Sequence, residues 1–405
     1  MLARLRRPER AVSSGAWFRL ARAVMRRPAL VSVGALALLV LLAAPVTQVR
    51  FGMYDDRILP ASSPVAETSQ RLRAEFGSQW VDAASVVLPG RPGAMSGSVA
   101  DPPADPVLDA YARRLAQVPG VRRVDARTGT YRDGRRTAPP DASSGRFAGA
   151  GGTWLSVIPD GDDPLSPQGS RLAAALRAVP APGPALVGGP GARLADTEHV
   201  LAGRLPAVVG VTVLVTFVLL LAFTRSVLIP VKALALNALG LAATSGILVA
   251  VFQQGHLAPL LGDVTAGGIT DVVMPSLMFC VTIGLSMDYE VFLLSRIVDE
   301  HRRGSDTETA VAVGLQRTGG LFTSALVFAT VMAALALSSL VLLKQIGVGL
   351  ALAVLLDCTV IRALLVPAVM RLAGRANWWM PQLGRRKDRS VPSPTPVPAA
   401  PMEAP

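Results

Sequence analysis

Cysteine, histidine, lysine and aromatic residues are all scarce in this chain of 405 residues. The two cysteines, Cys280 and Cys358, fall inside apolar runs, where they read as small packing residues rather than a disulfide or a metal pair. Three histidines, at 199, 256 and 301, show no ligand spacing such as His-x-x-x-His, which argues against a structural metal site or any bound cofactor. There is no Gly-x-x-x-x-Gly-Lys loop, so pumping driven by ATP is disfavoured. Charged residues make up only 17% of the chain and hydrophobic residues 51%, too apolar for an ordinary soluble protein. Lysine occurs only at 232, 344 and 387, so the formal charge of +12 is almost wholly arginine. No aromatic-interleaved basic motif accompanies that charge, which argues against nucleic acid. Its placement beside apolar runs points instead to anionic lipid headgroups and to membrane topology.

Residues 1–28 hold eight Arg and one Glu, and an almost continuous apolar run follows over 29–49. A secretory signal has this order, but the run is longer than a usual apolar core and ends without a small-x-small site. It reads as an uncleaved first transmembrane helix with a basic, cytoplasmic N-terminus. Residues 50–204 are rich in Gly, Pro and Arg, and no window among them is apolar enough to span. Helical patterns place Val65, Leu72 and Phe76 on one face, and Val107, Leu108, Tyr111 and Leu115 on another. Leu172, Leu176 and Val179 mark a third helix. Strand-like runs lie at Ala84–Leu88, Val121–Arg127, Trp154–Ile158 and Ala185–Val187, and composition marks Asp133 to Gly152 as a mobile loop. This order suits a split βαβ, ferredoxin-like α+β domain after a leading helix.

Residues 205–372 turn apolar again, with spans expected at about 206–223, 227–252, 272–295, 319–341 and 345–370. With the first span this makes a bundle of six transmembrane helices, both termini cytoplasmic and residues 50–204 outside. The short-loop charges agree: Arg225 between the second and third spans, then Arg371, Arg375, Arg385, Arg386, Lys387 and Arg389 after the sixth. The segment from Arg296 to Arg317, with four basic and four acidic residues, reads as a cytoplasmic surface helix. Residues 373–405 form a cytoplasmic tail, Pro/Ala-rich and read as disordered from about 390. One helix, a large outer domain and five more helices make one repeat of a parallel-repeat transporter.

The stretch from Pro275 to Leu294 is long enough to cross a bilayer, yet Asp288, Tyr289 and Glu290 sit inside it. A carboxylate at that depth costs about 2.5–3.5 kcal/mol on insertion scales. Ser276, Cys280, Gly284 and Asp288 recur every four positions, one stripe of a helix that another helix can approach closely. The stripe is therefore expected to face the packed bundle rather than lipid.

The run Gly284-Leu285-Ser286-Met287-Asp288-Tyr289-Glu290-Val291-Phe292-Leu293-Leu294-Ser295-Arg296 resembles the fourth-helix signature of MMPL transporters in the resistance-nodulation-division (RND) superfamily. Gly347-Val348-Gly349-Leu350-Ala351, Leu355-Leu356-Asp357-Cys358-Thr359-Val360-Ile361-Arg362 and Asn377-Trp378-Trp379-Met380-Pro381 extend the likeness, which runs from about Trp17 to Pro381. It is most like the C-terminal half of a typical member, since members usually join two such halves. The resemblance implies proton-driven export of lipids, lipid-like metabolites or drugs across a bacterial plasma membrane, without enzyme activity. It implies a homo-oligomer or pairing with a second half-transporter; the rival reading is a truncated product or a non-transporting membrane scaffold. It also assigns Asp288 and Tyr289 as the proton relay.

The residues allow that chemistry. Burial raises a carboxyl's proton affinity towards working pH, and a phenol can orient or relay a proton. The plainer reading of Asp288 is a structural carboxylate satisfied by a neighbouring helix. Glu290 lies about 200° around the helix from Asp288 and is expected to meet Asp357 or Arg362 in an ion network. Those two are five apart, poor spacing for a pair on one α-helix. Phe292 is expected to pack one turn below Asp288. Lys232 and Arg225 read as snorkelling anchors, Trp378 and Trp379 as interfacial anchors, and Ser324, Ser338 and Ser339 as helix-packing groups. An intramembrane aspartyl protease would need Tyr-Asp and Gly-x-Gly-Asp, whereas this chain has Asp-Tyr and Met287 before it.

Overall fold

A computed structural model of the chain describes residues 15–56, 59, 63–76, 82–90, 105–161, 163–256 and 268–380. Helix α1 (Ala16–Arg26) buries Ala21, Val24 and Met25 and leaves Arg19, Arg22 and Arg26 exposed. Pro28 starts α2 (Pro28–Ala43), and a 3-10 turn over Ala44–Gln48 extends it. Among the described residues, six helical stretches are long and apolar enough to cross a membrane: Pro28–Gln48, Pro190–Thr224, Leu228–Gln253, Met274–Arg302, Gly319–Leu337 and Val341–Trp378.

Between the first and second of these lies a mixed sheet domain. Its elements are β1 (Phe51–Gly52), α3 (Pro64–Phe76), β2 (Ala84–Pro89), α4 (Pro106–Leu115), β3 (Val121–Ala126), β4 (Gly129–Arg132), β5 (Arg135–Ala138), β6 (Ala148–Gly149), β7 (Gly152–Pro159), α5 (Pro167–Ala178) and β8 (Leu186–Gly188). The main sheet runs β5-β4-β3-β7-β2-β8, each adjacent pair antiparallel, with β6 added beside β7. Leu108, Tyr111 and Leu115 of α4 and Leu176 of α5 pack on Val86, Leu88, Val124, Leu155 and Val157 of the strands. Asp105 caps α4 by accepting from the Leu108 amide, and Pro106 occupies the first turn, where no N–H partner is needed.

Two local expectations fail here. Asp133 to Gly152 is a hairpin and a capped turn rather than a structureless loop. Asp133 and Gly134 both take positive φ, 48° and 72°, as a two-residue hairpin turn requires, and the Asp141 carboxylate accepts from the amides of Ser143 and Ser144. Val65 and Leu72 of α3 are exposed, as is Val107, so periodicity there overstated the buried face.

The remaining elements are α6 (Pro190–Thr224), α7 (Leu228–Leu248) with a π turn over Val249–Gln253, β9 (Thr270–Asp271), α8 (Met274–Arg302), α9 (Thr307–Arg317), α10 (Gly319–Ala334), α11 (Val341–Leu356), a π segment over Asp357–Leu365, and α12 (Val366–Ala373). At 35 residues α6 is about 52 Å long, well beyond an apolar core of about 30 Å, and it begins 16 residues before the expected 206. Its first turns belong to the sheet domain, where Arg177 of α5 pairs with Asp196 at 2.6 Å. Helix α8 likewise runs on to Arg302, and α9 buries Ala310, Val311, Ala312 and Leu315 against α1, Ile297 and Met370.

Small residues let the helices meet. Gly246 of α7 lies directly against the backbone of Leu42 and Ala43 in α2, where any side chain would collide. The sheet domain is tied to the bundle twice more. β1 pairs in parallel with β9, and the Tyr54 hydroxyl donates to the fully buried Gln345 of α11 at 2.9 Å.

Candidate functional site

Helix α8 has two faces with different chemistry. Along the outer one, Val273, Leu277, Cys280, Gly284, Asp288 and Val291 are all exposed. The stripe expected to pack inside the bundle therefore points away from it. A side chain added at Gly284 would meet nothing within 4 Å, and among the described residues no hydrogen bond or ion pair reaches Asp288. The reason is helical phase. Ser286 takes the inward position, and Asp288, two residues on, falls about 200° away. Phe292 is also on the outside, 56% exposed, rather than packed beside Asp288.

The inner face carries a hydrogen-bonded chain of polar groups. Ser286 Oγ lies 3.1 Å from Asp357 Oδ1 and 2.9 Å from Asn237 Oδ1 of α7. The Asn237 amide in turn donates to Glu290 Oε2 at 3.1 Å. Asp357 and Arg362 form an ion pair at 2.7 Å, both almost fully buried. Their five-residue separation, unfavourable in an α-helix, fits here because the π segment Asp357–Leu365 adds a residue to the turn and brings i and i+5 onto one face. Arg362 also donates to the Ser286 carbonyl oxygen and holds its guanidinium 5.4 Å from the Tyr289 ring centre. Glu290 thus reaches this network through Asn237 and Ser286 rather than by direct contact with Asp357 or Arg362.

Tyr289 stands between the two faces. Half-buried, it packs on the cluster of Ala325, Ala329, Ala351, Val354 and Cys358, and with Phe322, Cys358 and Arg362 it lines a cavity of about 10 Å³. That is near the minimum for one water. Asp288 and Tyr289 are adjacent in sequence, so the outer carboxylate and the inner network are one residue apart.

The other singled-out residues divide. Lys232, expected to snorkel, instead donates to Asn377 Oδ1, and Asn377 is fully buried with its amide donating to the Met370 and Gly374 carbonyls. Trp378 is no free anchor: it stacks on His301 with ring centres 3.7 Å apart and donates to Thr307. Trp379 is exposed, and Arg225 is the exposed left-handed cap of α6. Ser324 is exposed and bonds only its own helix, while Ser338 accepts from the Leu340 amide before α11. Cys280 is exposed and Cys358 buried, both free. No group of three or more His, Cys, Asp or Glu is placed to hold a metal among the described residues. Sequence reasoning missed Asn237 and Ser286 as network members. A lone Asn in an apolar span was the signal available for the first.

Residues 57–397 match the model of the MMPL family. A membrane protein of Streptomyces coelicolor is 36% identical over 392 residues, which covers 95% of this chain and 50% of that protein. The trehalose monomycolate exporter MmpL3 of Mycobacterium tuberculosis is 32% identical over 379 residues, 93% of this chain and 38% of the exporter. The mycolic acid-containing lipids exporter MmpL11 of Mycolicibacterium smegmatis is 32% identical over 376 residues, 92% and 37% respectively. The chain spans half or less of the length of these curated relatives.

Proposed function

The chain belongs to the MMPL family of the resistance-nodulation-division superfamily, and from that premise we propose that it is one half of a proton-driven exporter of lipid-like or drug-like amphipathic molecules. The observation that carries this reading is Asp288: a carboxylate in the middle of an apolar span, exposed, without a hydrogen-bond or ion-pair partner among the described residues, and next to Tyr289. Left in lipid it would cost about 2.5–3.5 kcal/mol, so a second copy or another half-transporter covers it. The open surface at Gly284 suits such close approach. Asp288 then takes up and releases the proton, Tyr289 relays it, and Asp357, Arg362 and Glu290 set the charge around them.

The relatives named as exporters of mycolate lipids support a lipid substrate. The sheet domain, whose order β3-β7-β2-β8 with α4 and α5 on one face suits a ferredoxin-like porter module, would receive that substrate outside the plasma membrane. The exposed arginines support cytoplasmic termini: Arg19, Arg22, Arg26, Arg225, Arg302, Arg303, Arg371 and Arg375 gather at the opposite end of the spans from that domain.

In inverted vesicles with the acidic side inside, uptake of a fluorescent phospholipid analogue should require the proton gradient and collapse on adding a protonophore. Gradient-independent uptake would overturn the proton-driven reading. Gly284→Leu should leave the folded chain intact, since nothing of its own chain is displaced, yet prevent recovery of a cross-linked pair and reduce transport at least tenfold. Unchanged cross-linking and transport would remove this face from the interface.

A further inference from the structure

The inner network ends at a cavity that the Asp288 face does not explain. About 20 Å³ in volume and walled mainly by apolar side chains of α7, α8 and α12, it has two charged residues in its lining, Lys232 and Glu290. The space is large enough for one water, which needs about 10–15 Å³ and polar partners to occupy it. Opposite charges here do not neutralise one another directly. The Lys232 ammonium is turned to Asn377 and the Glu290 carboxylate to Asn237, with the cavity bordered by both. Lys232 sits one turn inside α7, next to the turn in which Ser226 Oγ donates to the Asn377 carbonyl oxygen, so one wall of the cavity lies near the arginine-rich end of the bundle.

We infer that this cavity is a second proton site, on the cytoplasmic side, with Glu290 as the group that binds the proton and one water as its carrier. The inference rests on the proton-driven, cytoplasm-inward reading above. On release, the Glu290 O–H bond breaks and the proton joins the cavity water. The hydronium leaves toward the cytoplasm, and the carboxylate left behind is held by the Asn237 amide; uptake runs in reverse. The charged groups that act on Glu290 are Arg362 and Asp357 from the π segment. The residues of α12 in the cavity wall, Val366, Val369 and Met370, are all apolar. The chain Glu290–Asn237–Ser286–Asp357 then connects this site to the ion pair beneath Tyr289.

Dicyclohexylcarbodiimide dissolves in membranes and captures protonated carboxyls, so peptide mass mapping of the full chain reads the site without knowing the substrate. In inverted vesicles, which present the cytoplasmic face to the bath, labelling of Glu290 should rise as the bath is acidified. In spheroplasts with a buffered interior it should ignore the bath pH. Asn237→Leu removes the amide that holds the carboxylate, so the half-labelling pH should move up by about one unit, a tenfold change in proton affinity. Lys232→Met, which removes an ammonium turned to Asn377 instead, should keep the wild-type midpoint. Absence of Glu290 labelling, labelling that follows the outer pH, or an unmoved midpoint in Asn237→Leu would each overturn the site. If Asp288→Asn still transports while Glu290 labels as described, the Asp288 relay falls and this site stands; the reverse result removes this site alone.

Discussion

Asp288→Asn should reduce gradient-driven lipid transport to the level of empty vesicles while the chain still inserts, pairs and unfolds at a temperature no lower than wild type. Two physical facts set these opposite signs. Among the described residues no hydrogen bond or ion pair reaches the carboxylate, so replacing it breaks none of those contacts. An amide of the same shape also escapes most of the cost of about 2.5–3.5 kcal/mol that a charge bears within the bilayer, which leaves stability equal or improved. Function moves the other way, because an amide binds no proton at working pH and cannot draw on the gradient, worth about 2.3 kcal/mol per charge per 100 mV. A purely structural Asp288 would give the opposite pattern of lost stability and retained transport. Undiminished transport by Asp288→Asn would remove the relay assignment.

The sequence announced the membrane spans well, since hydropathy follows directly from lipid as solvent. All six spans fall where long apolar runs stand, and the four strand-like runs of the sheet domain became β2, β3, β7 and β8. What it could not supply was direction. A stripe of small residues ending in Asp288 looks the same whether its partner helix lies in the same chain or in another, and here it is left open. The ends of elements were also hidden. Nothing in the composition of residues 190–205 distinguishes a separate loop from the first turns of α6, because those turns are held by the sheet domain rather than by lipid.

The inner network shows the same limit in a sharper form. Asp357 and Arg362 looked mismatched because the spacing was tested against 3.6 residues per turn, and a local π segment changed the rule. Pro367, two residues beyond that segment, has no N–H to give the Ala363 carbonyl, which is one reason regular α-helix is not maintained there. Asn237 and Ser286 come from helices about 50 positions apart in sequence, and each is unremarkable alone. Their joint role depends on packing that no single-helix pattern encodes.

That network makes the second large prediction. Arg362→Met should destabilise the chain by about 3–5 kcal/mol, because it strands Asp357, only 7% exposed, with Ser286 Oγ as its remaining donor. The Ser286 carbonyl also loses a donor, and the Tyr289 ring loses its cation. Asp357→Leu combined with Arg362→Met should recover most of that loss, since a buried ion pair offsets little more than its own desolvation when apolar groups of similar size replace it. Thermal unfolding in lipid nanodiscs reads both, as a marked fall for the single variant and a near-return for the double. Transport separates structure from chemistry in the stable double variant. If the ion pair only holds the π segment to α8, the recovered chain transports; if it sets the charge against which Tyr289 and Glu290 exchange protons, the recovered chain is folded, paired and inactive. The chain of contacts from Glu290 through Asn237 and Ser286 to Asp357 favours the second outcome, because a purely mechanical tie would not need three further polar groups placed in series within the bundle.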